Sequence, residues 1–208
     1  MVRNGGWWLG LGLCLALAAY APALELGVDP AVQRAAHVRQ TDENWCWAAS
    51  LEMAMRCHGL QVPQREIVKH IYGAILGGAR DHKGTTQDVV HALDNWTADA
   101  QGRPFKAVVQ DWQGKPSPQV LRTELAAKRP IILRLDVDPG HPWLHRYHAV
   151  VLAAGECTLW PSGPKFYSLS ILDPEAFHPF KAGADEYMWS VRGYWTLNVT
   201  QPAQAGAH

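Results

Sequence analysis

The chain has 208 residues, 48% of them hydrophobic, which suits one globular domain with a sizeable core. Its 19 lysine and arginine residues balance its 19 aspartate and glutamate residues. This balance argues against nucleic acid or an anionic membrane surface as a partner.

The first 23 residues are typical of a secretory signal peptide. Arg3 supplies a positive charge, an apolar and glycine run fills positions 7–19, and Ala21 and Ala23 are the small residues that a signal peptidase requires. The run is shorter than the roughly 20 residues of a membrane span. We therefore expect residues 1–23 to be cleaved and residues 24–208 to form a single extracytoplasmic domain, secreted or periplasmic, that does not contact the membrane. A retained N-terminal anchor is the alternative.

Cleavage would leave three cysteines, Cys46, Cys57 and Cys157. In an oxidising compartment, an odd number of cysteines suggests one functional thiol and one disulfide. A disulfide between Cys57 and Cys157 is one interpretation, and a free, packed Cys57 is the other.

Four helices are predicted before Pro130. After a short lead-in over residues 24–40, Asn44 is a suitable N-cap for a helix over 45–58 that Gly59 ends. Three further helices are predicted over residues 64–72, 87–96 and 118–128, with a glycine-rich loop over 73–84.

Beyond Pro130 the apolar pattern changes to the alternation that is typical of strands. Strands are predicted over residues 131–136, 147–153, 166–172 and 187–199, with an extended hairpin around 155–165. Short strands separated by Pro- and Gly-rich turns favour an antiparallel sheet. Helices in the first half and strands in the second indicate an α+β fold.

Cys46 lies at the start of the first predicted helix, within the sequence NWCWAAS. Unpaired backbone N–H groups and the helix dipole favour a thiolate at this position. The position therefore suits a sulfur nucleophile, although a packed structural cysteine is the alternative.

Three further residues can complete an active site around this thiol. His148 opens a predicted strand and can reach a thiol from another layer, and Asp173, held in extended geometry by Pro174, can orient the histidine. Gln40 lies six residues before Cys46, where its side-chain amide can donate to an oxyanion beside the Cys46 backbone N–H. Taken singly, the three are also explained as a structural histidine, a turn residue and a solvated loop residue.

The order and spacing of these residues resemble the papain-like cysteine peptidases. Gln40 precedes the pair Cys46-Trp47, and the sequences HAVV from His148 and LDP around Asp173 follow later in the chain. The chain most resembles the compact bacterial branch, which includes bacteriocin-leader peptidases and plant-pathogen effector proteases. The resemblance extends from Gln40 to Asp173.

The resemblance implies a helical N-terminal layer packed on a C-terminal antiparallel sheet, with the active-site cleft between them. It implies Cys46 as the nucleophile, His148 as the general base, Asp173 as the orienting acid and Gln40 as the oxyanion donor. We expect a monomeric thiol protease that cleaves peptide or protein substrates through a thioester acyl-enzyme, without a cofactor or metal.

The chain also departs from plant and lysosomal members of this superfamily. Those members usually have asparagine in place of Asp173, and a glycine-rich run where this chain has Glu43, Asn44 and Trp45. The negative charge of Asp42 and Glu43 would raise the pKa of the Cys46 thiol if they faced it. These departures leave the substrate class open.

Three other functions are open at this point. The same triad supports transglutamination or deamidation, because both reactions pass through a thioester. His141, His145 and His148 form an H-x3-H-x2-H pattern that suggests zinc, although Pro142 disfavours a helix there and no fourth ligand is evident. A catalytically inactive binding module with the same fold is the third alternative.

Overall fold

The computed structural model describes residues 23–73, 83–137 and 147–202. The predicted signal peptide apart from Ala23, most of the predicted glycine-rich loop, and His141 and His145 lie outside these residues. The elements follow one another as β1 (Leu24–Gly27), α1 (Pro30–Ala36), α2 (Cys46–Cys57), α3 (Gln64–Tyr72), α4 (Thr86–His91), β2 (Lys106–Gln113), α5 (Pro118–Ala126), β3 (Ile131–Asp136), β4 (Tyr147–Trp160), β5 (Gly163–Leu172), β6 (Phe180–Gly183), α6 (Ala184–Trp189) and β7 (Val191–Thr200).

One antiparallel sheet of seven strands organises the molecule, in the order β2-β7-β3-β4-β5-β6. The long strand β4 lies at the centre of the sheet. Strand β3 pairs with the first half of β4, and β5 forms a hairpin with most of the length of β4. Strand β1 pairs with Ala154–Cys157 of β4. Because β5 already occupies one edge of that stretch, β1 continues the edge that β3 covers.

The sheet separates two hydrophobic cores. Helices α1 to α4 contribute to the first core, where Leu51 of α2 packs with Ile132 and Val151. Helices α5 and α6 cover the opposite face, where Leu125 packs with Ile131. The alternation of β3 side chains between the two cores is the period predicted from the sequence, and the predicted α+β layout is confirmed.

The helices begin with different kinds of cap. Thr85 and Asp88 form a reciprocal capping box at α4, and the Ser117 hydroxyl accepts a hydrogen bond from the Val120 N–H at the start of α5. Helix α2 begins without any side-chain cap, because its N-cap residue is Trp45. The prediction that Asn44 caps this helix is wrong.

Several predicted elements have different bounds in the structure: β4 runs on to Trp160 and β5 begins at Gly163. Helix α4 ends at His91, not at residue 96, because the chain turns over residues 92–95, where Asn95 has a φ of 62°. The strand predicted from residue 187 begins at Val191, since α6 occupies Ala184–Trp189. Elements β1, α1, β2, β6 and α6 were not predicted.

The cysteines Cys46, Cys57 and Cys157 are all free. Cys57 packs against the first core and Cys157 lies in the second, on the other side of the sheet. The interpretation that Cys57 and Cys157 form a disulfide is therefore wrong. Within the described ranges, no helix is long and apolar enough to cross a membrane.

Candidate active site

Helix α2 places Cys46 at its first residue, where the sulfur is partly buried. One turn further along, the Ser50 hydroxyl donates a hydrogen bond of 3.0 Å to the carbonyl oxygen of Ala149. Because Ala149 follows His148 directly, this buried bond fixes the start of the helix relative to the start of β4.

The imidazole of His148 lies between a thiol and a carboxylate. Its Nε2 is 2.8 Å from Oδ1 of Asp173, and the Cys46 side chain lies near enough to the ring to raise its pKa. Since Nε2 is taken by Asp173, Nδ1 is the nitrogen available to Cys46. The structure thus brings together three of the four residues that the sequence singled out.

Asp173 is itself held by the chain around it. It follows Leu172, the last residue of β5, and Leu172 pairs with Val151 of β4. The Glu175 backbone N–H donates to the Asp173 carboxylate at 2.8 Å, and His37 Nε2 lies 2.9 Å from the Asp173 carbonyl oxygen. These contacts hold the carboxylate and the backbone of Asp173 in place, independently of the hydrogen bond to the imidazole.

The charges at the site favour an imidazolium. Burial alone lowers the pKa of His148, but the hydrogen bonds and negative charges of Asp173 and Cys46 outweigh it and raise the pKa to about 10. Burial raises the pKa of Asp173, while its hydrogen bonds with His148 and the Glu175 N–H lower that pKa below its ordinary value. At neutral pH the pair is therefore a carboxylate and a protonated ring.

Gln40 is tied to the same turn. Its backbone N–H donates to the Pro174 carbonyl at 3.0 Å, which places the residue beside the segment that follows Asp173. Its Nε2 donates to the Glu43 carbonyl at 3.1 Å and lies 3.5 Å from Oε1 of Glu175. Its own Oε1 is buried and has no hydrogen-bond partner in the described part of the chain.

Glu175 is a site residue that sequence reasoning missed. Its exposed carboxylate lies 4.0 Å from Nδ1 of His148 and 3.5 Å from Nε2 of Gln40. One carboxylate oxygen therefore faces the two groups that would donate to a substrate. The only signal in the sequence is its position two residues after Asp173.

The structure gives no support to a metal centre in the residues it describes. Across 23–73, 83–137 and 147–202, no group of three or more His, Cys, Asp or Glu side chains could hold a metal ion. The other two histidines of the zinc alternative, His141 and His145, lie outside these ranges.

Comparison with known proteins gives a family and a fold. A family model described as the Peptidase_C39 like family matches residues 26–155, a span that includes Gln40, Cys46 and His148 and ends before Asp173. The crystal structure of the peptidase domain of Streptococcus ComA, a bifunctional ABC transporter involved in a quorum-sensing pathway, is similar with a TM-score of 0.51. The two chains are 13% identical, and the match covers 79% of this chain and 97% of that one. No curated protein matches this chain.

Proposed function

Because the chain belongs to the Peptidase_C39 like family, within the papain-like cysteine peptidase superfamily, we propose that it hydrolyses peptide bonds with Cys46 as the nucleophile. The observation that carries this proposal is the position of His148, which bonds Asp173 through Nε2 and lies close enough to Cys46 for that side chain to raise the pKa of the ring. A thiol, a base and an orienting acid in hydrogen-bond contact form the arrangement that activates a sulfur nucleophile.

In the proposed reaction the thiol proton already rests on His148, so the resting pair is a thiolate and an imidazolium. The Cys46 thiolate attacks the carbonyl carbon, and the carbonyl oxygen becomes an oxyanion. The backbone N–H of Cys46 and Nε2 of Gln40 donate to this oxyanion. The imidazolium then gives its proton to the departing amine, the C–N bond breaks, and a thioester remains on Cys46.

Hydrolysis of the thioester completes the cycle. His148 removes a proton from water, the hydroxide attacks the thioester carbon, and the C–S bond breaks to return the thiolate and release the acid product. The Asp173 carboxylate orients the ring through both steps. A substrate oxygen would replace Glu175 Oε1 beside Gln40, and the exposed Glu175 side chain is free to swing aside.

We also propose that the protein acts outside the cytoplasm, in the medium or the periplasm, after removal of residues 1–23. The basic start, the apolar run and the small residues up to Ala23 support this location.

The deciding experiment is cleavage of a peptide library by the mature protein, with Cys46→Ala as the inactive variant. Iodoacetamide should label Cys46 before the other two thiols, because burial raises the pKa of Cys57 to about 12 and also raises the pKa of Cys157. Cys57→Ser is the matched control and should retain activity.

Two results would contradict the proposal. Unchanged cleavage by Cys46→Ala would exclude Cys46 as the nucleophile. Release of ammonia from glutamine side chains without chain cleavage would instead identify the reaction as a deamidation.

A further inference from the structure

A buried glutamine, Gln64, forms hydrogen bonds with the residues on both sides of Gln40. Gln64, at the start of α3, is only 5% exposed. Its Nε2 donates to the Arg39 carbonyl at 3.0 Å, and its Oε1 accepts from the Thr41 backbone N–H at 3.0 Å and from the Thr41 hydroxyl at 3.3 Å. One planar amide thus holds the residues that directly precede and follow Gln40.

Gln64 is anchored in turn to the helix that carries the nucleophile. Its backbone N–H donates to Oε2 of Glu52 at 2.9 Å, and Oε1 of Glu52 bonds Arg56 at 2.6 Å. Glu52 and Arg56 both belong to α2, which begins at Cys46. A continuous chain of hydrogen bonds therefore runs from α2 through Gln64 to the loop of Gln40.

The same loop is held from the opposite side by the Pro174 carbonyl, which accepts the Gln40 backbone N–H. The backbone of Gln40 is thus fixed between the α2 side and the Asp173 side of the site. The Gln40 side chain has weaker support, since its longer contact is to the exposed Glu175. An oxyanion donor must be held within about 0.5 Å of its productive position. The hydrogen bonds from Gln64 to Arg39 and Thr41, here called the backbone clamp, therefore have to supply that precision.

We propose that Gln64 is a positioning residue that aims Gln40 at the oxyanion. This inference rests on the peptidase function proposed above. It assigns to Gln64 no contact with substrate and no proton transfer.

The test compares two variants of Gln64. Gln64→Leu keeps the backbone N–H to Glu52 and removes all three side-chain bonds to the loop. Gln64→Glu keeps an acceptor for Thr41 and loses the donor to Arg39. We expect kcat to fall about tenfold in Gln64→Leu and less in Gln64→Glu, with KM nearly unchanged, because removing the donor itself costs about 10²–10³. Gln61→Leu, an exposed glutamine on the preceding loop, is the matched control and should behave as wild type.

A double-mutant cycle separates positioning from a general loss of structure. In a Gln40→Ala background, either Gln64 variant should have little further effect on kcat, because the group it positions is gone. An equal fold-loss in both backgrounds would overturn the proposal. If Gln64→Leu does not fold, Gln64→Glu alone completes the cycle.

Labelling of Cys46 by iodoacetamide should keep its wild-type rate in both variants, since the thiolate–imidazolium pair is untouched. Failure of the peptidase function itself would appear as absent turnover in the wild type. In that case amide hydrogen exchange at Thr41 decides the clamp: faster exchange in Gln64→Leu supports it, and unchanged exchange overturns it.

Discussion

The imidazole of His148 meets groups of different chemistry on its two sides. The Asp173 carboxylate accepts a hydrogen bond from Nε2, and the Cys46 thiol lies on the other side of the ring. With a pKa near 10, the ring of the free protein stays protonated well above neutral pH. In the proposed reaction the ring carries the proton that came from the Cys46 thiol. It can therefore donate this proton directly to the leaving amine.

The charge of Asp173 should set the upper pH limit of activity. Asp173→Asn keeps the shape and an acceptor oxygen but removes the negative charge that raises the pKa of His148, so the imidazolium is lost at lower pH. Asp173→Ala also loses the orientation of the ring. We expect kcat/KM to decrease from wild type to Asn to Ala, and the alkaline limb of the pH profile to move to lower pH in Asp173→Asn.

The measurement is kcat/KM against pH for all three proteins. If Asp173→Ala matched wild type throughout, Asp173 would be a turn residue only, and another side chain would have to orient His148.

The residues of the candidate site differ in how visible they are in the sequence. Cys46, His148 and Asp173 each stand at the boundary of an element, and those boundaries follow from local patterns. Gln64 was not predicted to matter, because both of its loop partners, Arg39 and Thr41, lie more than twenty residues away and no local pattern links them.

Helices and strands could be predicted from the sequence where one face is buried, because burial gives the apolar residues a regular spacing. Every residue of β3 except Arg134 is buried, and its apolar side chains alternate between the two cores. In β2 only Val109 is buried, so the edge strand has no apolar alternation to read. Helix α1 buries only Gln33 and Ala36 over seven residues, which is too little for an amphipathic pattern.

A turn that the sequence did not reveal joins α4 to β2 through Asp99. Its carboxylate accepts hydrogen bonds from the backbone N–H groups of Gln61, Gln101 and Arg103, and from the Arg103 guanidinium. Burial raises the pKa of Asp99, but these hydrogen bonds outweigh it and lower the pKa to about 2.

Asp99→Asn should lower the free energy of unfolding at pH 7 by about 1–3 kcal/mol, because a buried acceptor is replaced by a neutral amide. The pKa of Asp99 is depressed in the folded state, so its contribution is present above the unfolded pKa and is lost as pH falls from about 4 to about 2. Wild type should therefore lose more stability than Asp99→Asn between pH 7 and pH 3.

Urea unfolding at both pH values measures this difference. Asp94→Asn, an exposed carboxylate paired with His91, is the control and should change little. Equal stability of wild type and Asp99→Asn at pH 7 would show that the turn does not depend on the charge.

At the scale of the whole molecule, β1 makes the N-terminal segment part of the sheet. Its pairing with β4 includes a close approach at Gly27, where φ is 127° and a Cβ would lie 2.3 Å from the Ala153 carbonyl oxygen. Strand β1 begins at Leu24, directly after the predicted cleavage position. Cleavage there would leave the sheet whole.

We therefore expect the exported protein to begin at Leu24. Mass spectrometry of the extracytoplasmic protein, expressed from the full sequence, measures its N-terminus, and Ala23→Arg should prevent cleavage because a signal peptidase requires a small residue there. Recovery of the chain only from the cytoplasm, with residues 1–23 attached, would contradict the proposed location.

The pairing of β1 also determines when the fold can close. Its partner in β4 lies about 130 residues further along the chain, and such distant contacts form late because the intervening loop must first be closed. During translation, β1 emerges from the ribosome long before β4 is synthesised. The two strands therefore cannot pair until most of the chain has been made. The proposed export requires an unfolded chain, and the late pairing of β1 is compatible with that requirement.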